Sequence, residues 1–265
     1  MTGRSQSAAF QLPKSWLPKS WLPTISSLIL IATLLIAWQI LFEFAGAQAM
    51  TAPLATFRYL AQLLETKAFW GHVAETSWAF GVALALAVIL GLVIGFWLGA
   101  HRFSGEIFEP VLIAFYSIPK ITLYPIILLA FGLGLPAKVA FGTIHGIVPV
   151  AIFTMTAVRN IAPIHLKTAR VLKLRPAQLV GSLLLPAALP EIFTGIRVGF
   201  SLTLIGTLLG EMFGSQSGLG YLLMTAIGLQ NVQLIMAVTL LIVLFAASVS
   251  TVLIVIDHRL HRRMS

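Results

Sequence analysis

Apolar and polar positions alternate along this chain in long blocks rather than in short periods. Six stretches, 24–44, 77–100, 111–133, 138–158, 198–213 and 234–256, are mostly apolar and nearly free of charge. A hydrocarbon layer about 30 Å thick is crossed by about 20 mostly apolar helical residues. The pattern therefore predicts an all-α integral membrane protein with six transmembrane helices. Segment 52–67 is less apolar and carries Arg58, Glu65 and Lys67, which predicts an amphipathic helix lying at the membrane surface. The chain divides into an N-terminal interfacial arm (1–23), a first span (24–44) and an outer-side loop containing that helix (45–70). A five-span core (71–257) with one long polar loop (159–197) follows, then a basic tail (258–265).

Composition sharpens this reading. Of the 265 residues 58% are hydrophobic and 9% charged, whereas a soluble domain carries about 25% charged residues and about 45–50% apolar ones. Too little polar surface exists to cover a globule in water, which excludes a soluble enzyme, a nucleic-acid-binding domain and a disordered chain. The absence of cysteine excludes disulfides, thiolate catalysis, iron–sulfur clusters and Cys-ligated zinc. The net charge is +9, and in a membrane protein its placement carries the information. With the N-terminus inside, 13 of the 17 Lys and Arg residues fall on the cytoplasmic side. Arg58, Lys67 and Lys138 fall on the outer side, and Lys120 lies within the third span. Positive charge collects on the cytoplasmic side of membrane proteins, so both termini are expected there.

The start of the chain has the outline of a signal peptide, with Ala45-Gly46-Ala47-Gln48-Ala49 at the cleavage position. Its apolar run exceeds the usual 7–15 residues, and the segment is expected to be kept as a span. Before it, Pro13-Lys14-Ser15-Trp16-Leu17 repeats as Pro18-Lys19-Ser20-Trp21-Leu22. Closely spaced prolines forbid a regular helix, while Trp and Lys suit the headgroup layer. This arm is expected to contact lipid.

Small residues mark where helices pack. Ala79, Ala83, Ala87, Gly91, Gly95 and Gly99 recur at every fourth position of the second span, and Gly195, Gly199, Gly206, Gly210 and Gly214 recur in the fifth. Such stripes let helix backbones approach where lipid supplies no hydrophobic drive, so Gly91, Gly95, Gly99, Gly206 and Gly210 are expected at helix contacts.

The 159–197 loop holds Arg159, Lys167, Arg170, Lys173, Arg175 and Arg197, with Glu191 its only acid. Pro163 and Pro176 bound a short helix over 164–174, on which Lys167, Arg170 and Lys173 form a basic row. A second helical piece is expected over 176–185. A basic loop resting on lipid would satisfy the charge alone; proline-punctuated helices fit a docking element for a cytosolic partner.

The loop resembles the "EAA" loop of ABC importer permeases, which runs E-A-A-x3-G-x9-I-x-L-P. Thr168-Ala169-Arg170-Val171-Leu172-Lys173-Leu174 and Leu183-Leu184-Leu185-Pro186 carry the match. Lys167 stands where the family has Glu, and Lys173 where it has Gly. Ile118-Pro119-Lys120 with Pro125, Phe131-Gly132-Leu133-Gly134, Gly210-Glu211-Met212 and Ser217-Gly218-Leu219-Gly220-Tyr221-Leu222 are similar to the nitrate/sulfonate/taurine-type branch. The similarity runs from about residue 70 to the C-terminus.

This resemblance implies a type I ABC importer permease in a bacterial cytoplasmic (inner) membrane, with no catalysis of its own. A second permease subunit, expected as a homodimer, two cytosolic ATP-binding subunits and an extracytoplasmic substrate-binding protein would complete it. ATP and Mg would reside on the ATPase, and no cofactor, metal or nucleic acid on this chain, which lacks a G-x-x-x-x-G-K-[ST] loop. The coupling residues implied are Lys167, Thr168, Ala169, Arg170, Leu172, Lys173, Arg175, Leu185 and Pro186.

Polar residues inside the membrane are functional candidates. Tyr116, Lys120, His145 and Glu211 are the candidates for the translocation pathway. Two readings stand for Lys120, pathway lining or pairing with an acid; His145 reads as a core histidine before a substrate ligand. Glu211 pairs with Lys120 or stands near the outer gate. Two other classes make different demands on the sequence. A secondary transporter would show internal repeats in matched halves, and no second copy of the basic loop exists. An intramembrane serine protease would need Ser215 or Ser217 within hydrogen-bond reach of a base such as His145. The solute is expected to be small and anionic, of the sulfonate, taurine or nitrate kind.

Overall fold

The computed structural model describes residues 22–161, 164, 167, 171, 172, 174–179, 181, 182 and 185–264. The proline-rich arm and Thr168, Ala169, Arg170 and Lys173 lie outside the described residues. Among the described residues every regular element is helical. The chain forms two compact units, 1–55 and 56–265.

In the first unit α1 (Leu22–Ala45) contains an apolar window, Ser26–Ala45, with no buried residue. Gly46, at φ +78°, ends the helix, and its N–H donates to the Phe42 carbonyl at 2.9 Å. A left-handed residue at this position is how glycine commonly stops a helix. The Trp38 indole donates to the Thr51 carbonyl at 3.0 Å.

The second unit takes in most of α2 (Pro53–Leu64), then α3 (Lys67–Ala100), α4 (Arg102–Ser117) and a 3-10 turn (Lys120–Leu123). After it come α5 (Tyr124–Phe131), α6 (Leu135–Arg159), α7 (Leu185–Gly214), α8 (Leu219–Gly228) and α9 (Val232–Met264). Helix α2 is amphipathic and buries Thr56 and Leu60, one turn apart. Helices α1, α3, α6, α7 and α9 are long and apolar enough to cross a membrane. They begin or end beyond the apolar runs, as α3 at Lys67 and α7 at Leu185 do, because hydropathy marks where a helix meets hydrocarbon rather than where it stops.

At the centre α6 lies between α3 and α7. Ala83 and Ala87 of α3 pack on Gly142 and Gly146 of α6, and Gly91, Gly95 and Gly99 face Val150, Thr154 and Val158. Each four-residue step in α3 meets a four-residue step of the same sense in α6, so the two helices run parallel. On the other side Thr203 and Thr207 of α7 meet the same Gly146 and Gly142, while Gly195 and Gly210 meet Phe153 and Lys138. That order is reversed, so α7 is antiparallel to α6.

Parallel α3 and α6 require a return crossing between them, which α4 and α5 provide. Gly105 of α4 meets Arg159 at the last residue of α6. At the opposite end Tyr124 of α5 donates to the Gly210 carbonyl at 2.7 Å, and Gly134 N–H donates to the Gly214 carbonyl at 3.0 Å. This crossing corrects the expectation of a single continuous span over 111–133: α4 and the helical stretch Lys120–Phe131 meet at 90°. The cause is Pro119, because the residue before a proline is driven out of the helical region. Ile118 accordingly takes φ −67°, ψ 133°.

A Cβ placed on Gly95 would sit 2.5 Å from Thr154 Cβ and 2.7 Å from the Ala151 carbonyl oxygen, whereas one on Gly81 meets nothing within 4 Å. Glycine costs a helix interior about 0.8–1.0 kcal/mol relative to alanine, while forcing a methyl into a packed contact costs about 1–3 kcal/mol. Gly81→Ala is therefore expected to hold or raise the melting temperature in detergent, and Gly95→Ala to lower it. An unchanged melt for Gly95→Ala would remove the contact.

Candidate functional site

Two intramembrane lysines organise the polar chemistry, and they are treated oppositely. Pro136 stands at the start of α6, where proline is tolerated because the first N–H groups have no helical partner. Lys138, in the same first turn, is fully buried. Its Nζ donates to Glu75 Oε1 at 3.0 Å and to the Ser217 carbonyl at 3.3 Å, and lies 3.6 Å from Glu211 Oε1. Lys138, expected at the outer start of the fourth span, is a core residue held between two carboxylates.

Glu211 on α7 is also fully buried. Thr76 of α3 donates its hydroxyl to the carboxylate, 2.8 Å from Oε2, and Gly220 N–H donates to Oε2 at 3.0 Å. That N–H belongs to the first turn of α8, where donors are otherwise unpaired and the helix end is partially positive. Thr76 Oγ1 in turn accepts Leu219 N–H at 2.7 Å, and His72 Nδ1 accepts Gly218 N–H at 3.1 Å. Gly218, at φ +110°, lies so close to the Glu211 carboxylate that a Cβ would overlap it. Helices α3, α6 and α7 are thereby clamped to the 215–218 turn and to the start of α8. Beside this turn a cavity of about 600 Å³ is lined in part by Gly134, Ser215, Gln216, Ser217, Tyr221 and Met224.

Lys120 lies elsewhere, at the corner between α4 and α5. It is 8% exposed, donates to the Tyr116 carbonyl at 3.2 Å, and stands over the Tyr116 and Phe115 rings at 5.3 and 5.8 Å. Among the described residues it makes no ion pair. His145, one helix away on α6, is within electrostatic reach of Lys120. It bonds the Phe141 carbonyl through Nδ1 at 2.8 Å, so that nitrogen carries the proton, and its ring packs edge-on to Phe141 and against Gly206. Of the pathway candidates Lys120 rests on Tyr116, His145 is held within the α6–α7 packing, and Glu211 stands apart with Lys138. Ser215 Oγ donates to the Ser217 carbonyl at 2.7 Å and accepts Ser217 N–H. These serines close a turn, and no serine–histidine pair links them to His145 among the described residues.

Of the coupling candidates, Lys167 is helical and exposed, as are Ile164 and Val171; Leu172 and Arg175 follow as exposed residues and Leu185-Pro186 opens α7. Positions 164, 167 and 171 share one helical face. A short helical turn, Pro176–Leu179, occurs within the second piece expected over 176–185. Sequence reasoning missed Lys138, because it stands at the edge of an apolar run and reads as a loop charge. Its acidic partners are 63 and 73 positions away.

The helical bundle thus carries a buried charge clamp and a second lysine with no ion pair among the described residues. The chain belongs to the family of binding-protein-dependent transport system inner membrane components, whose profile matches residues 87–265. An ABC transporter permease protein of Haemophilus influenzae is 30% identical over 244 residues, covering 89% of this chain and 95% of that one. The protein of Bacillus subtilis named for aliphatic sulfonate transport, SsuC, is 27% identical over 201 residues, covering 75% and 73%. The MetNI methionine ABC transporter, solved in inward-facing conformations, shares the fold with TM-score 0.60 at 20% identity, covering 73% of this chain and 94% of that one. This chain is therefore a multi-pass inner-membrane permease of a binding-protein-dependent ABC importer, a transport component rather than an enzyme. Its class works with an ATPase and a substrate-binding protein.

Removing one partner of a buried ion pair costs about 3–5 kcal/mol, because the other charge is left uncompensated. Lys138→Met is expected to lower the melting temperature of the purified protein markedly, and adding Glu211→Gln to recover part of the loss. If Lys138→Met melts like the parent, the clamp is not what holds this end of the bundle.

Proposed function

We propose that this chain lines the import pathway of a small anion of the sulfonate, taurine or nitrate kind. It pairs with a second copy of itself, two cytosolic ATP-binding subunits carrying ATP and Mg dock beneath, and a substrate-binding protein delivers the solute from outside. Both termini face the cytoplasm, and 159–197 is the coupling loop.

The observation that carries the anion is the imbalance between the two lysines. Lys138 is neutralised by two carboxylates, whereas Lys120 is buried with a carbonyl and two ring faces and no carboxylate among the described residues. A charge taken from water without a counter-ion is costly, and an anion passing the corner would relieve that cost. The 90° break beside Lys120 supports this, because irregular backbone at membrane depth is tolerated where it lines a cavity or is buried in protein. For the coupling loop, Ile164, Val171 and Leu172 are 63%, 81% and 63% exposed. Exposed apolar side chains beside Lys167 suit a groove on a partner protein.

The test is uptake into proteoliposomes holding the complete importer, with an aliphatic sulfonate, taurine and nitrate as probes. Lys120→Met is expected to lower uptake while the ATPase still copurifies. Undiminished uptake would remove Lys120 from the pathway, and failure to assemble would make it a structural residue.

A further inference from the structure

The last residue of α6, where the 159–197 loop departs, is tied to a helix that is not part of the loop. Arg159 Nη1 donates to Glu109 Oε2 of α4 across 50 positions of sequence. Its guanidinium lies against Gly105, one turn earlier on α4, so closely that a Cβ there would overlap Nη2 and the Leu98 carbonyl oxygen. A glycine thus makes room for the arginine, and a glutamate four residues later holds it. From Glu109 the helix runs on to Ser117 through Pro110, which has no N–H to give the Glu106 carbonyl, and the chain then turns through 90° at Ile118-Pro119 to Lys120.

We propose that the Arg159–Glu109 pair is a strut that makes α4 follow the coupling loop, so that movement of the loop displaces the Pro119–Lys120 corner. The proposal rests on 159–197 being the coupling loop. The loop is joined to α6 and α7 by the backbone itself; α4 has no such link, and the pair supplies one. Glu109 is 41% exposed, so the pair can re-form as the helices shift. The far end of the loop has a different tie. Asp257 of α9, buried, accepts a hydrogen bond from Thr194 at 3.3 Å and lies 3.6 Å from Arg197 Nη2. The acid of this tie is buried where Glu109 is exposed, so it serves as a fixed anchor and is the internal control. Glu109 and Arg159 are positioning residues and touch no solute.

The readout is solute imported per ATP hydrolysed, measured with the assembled importer in proteoliposomes alongside its melting temperature and ATPase copurification. Glu109→Gln is expected to keep assembly, melting temperature and hydrolysis while import per ATP falls roughly fivefold or more, the lower end of ordinary coupling between sites. The charge-exchanged double variant, Glu109→Arg with Arg159→Glu, is expected to restore much of the ratio. Asp257→Asn is expected to lower the melting temperature instead. A parental ratio for Glu109→Gln overturns the strut, and so does loss of assembly or a lowered melt, which makes the pair structural. Ala169→Trp in the same preparation tests the loop separately: if the ATPase still copurifies and import per ATP is normal, the coupling-loop reading fails, whatever Glu109→Gln does.

Discussion

Lipid gives two apolar helices no hydrophobic reason to associate, so α6 is held between α3 and α7 by contacts that only small side chains permit. Gly142 and Gly146 meet Ala83 and Ala87 on one side and Thr207 and Thr203 on the other. With no side chain on these two glycines, the small side chains of Ala83, Ala87, Thr203 and Thr207 reach the α6 backbone itself, and that fit sets the register. A slip by one helical turn would move a helix about 5.4 Å along its axis and set Ala87 against Val150 in place of Gly146. The parallel setting of α3 and α6, and hence the return crossing through α4 and α5, follows from that register. So does the meeting of Glu75, Lys138 and Glu211, which come from three helices and converge only when all three are seated.

The charges divide the bundle into a fixed end and a working corner. At the fixed end a buried ammonium, two carboxylates, a threonine hydroxyl and the free N–H groups of α8 satisfy one another. Partial satisfaction there would be worse than an apolar core. At the corner Lys120 rests on a carbonyl and two aromatic faces, which stabilise a cation without cancelling its field. One lysine therefore holds helices together, and the other keeps a charge that no carboxylate among the described residues cancels.

Much of this was legible in the sequence, for specific reasons. Spans follow from hydropathy, and the Gly91–Gly95–Gly99 stripe is local, so both can be read from neighbouring positions. Pro119 and Pro125 stand plainly in the third span, but an apolar run reads the same whether straight or bent, and only the structure gives the angle. The pairing of Lys138 was missed because it depends on Glu75 and Glu211, and no local pattern joins residues so far apart. Arg159 and Arg197 read as loop charges for the same reason; their partners Glu109 and Asp257 lie on other helices. Thr168, Ala169, Arg170 and Lys173 carry much of the family resemblance and fall outside the described residues.

An importer driven from below needs parts that move as units, because packed interfaces switch between discrete arrangements rather than deforming. The α3–α6–α7 core is the unit this packing defines, and the Arg159–Glu109 pair ties α4 to the end of its central helix. The absence of native cysteine makes spin labelling direct, and Val93 of α3 and Ile205 of α7 are exposed positions on two core helices. The decisive measurement is the distance between labels at these sites within one permease copy, diluted with unlabelled copies, in the nucleotide-free and ATP-trapped importer. A rigid core predicts the same distance in both states; a resolved shift between them would contradict it.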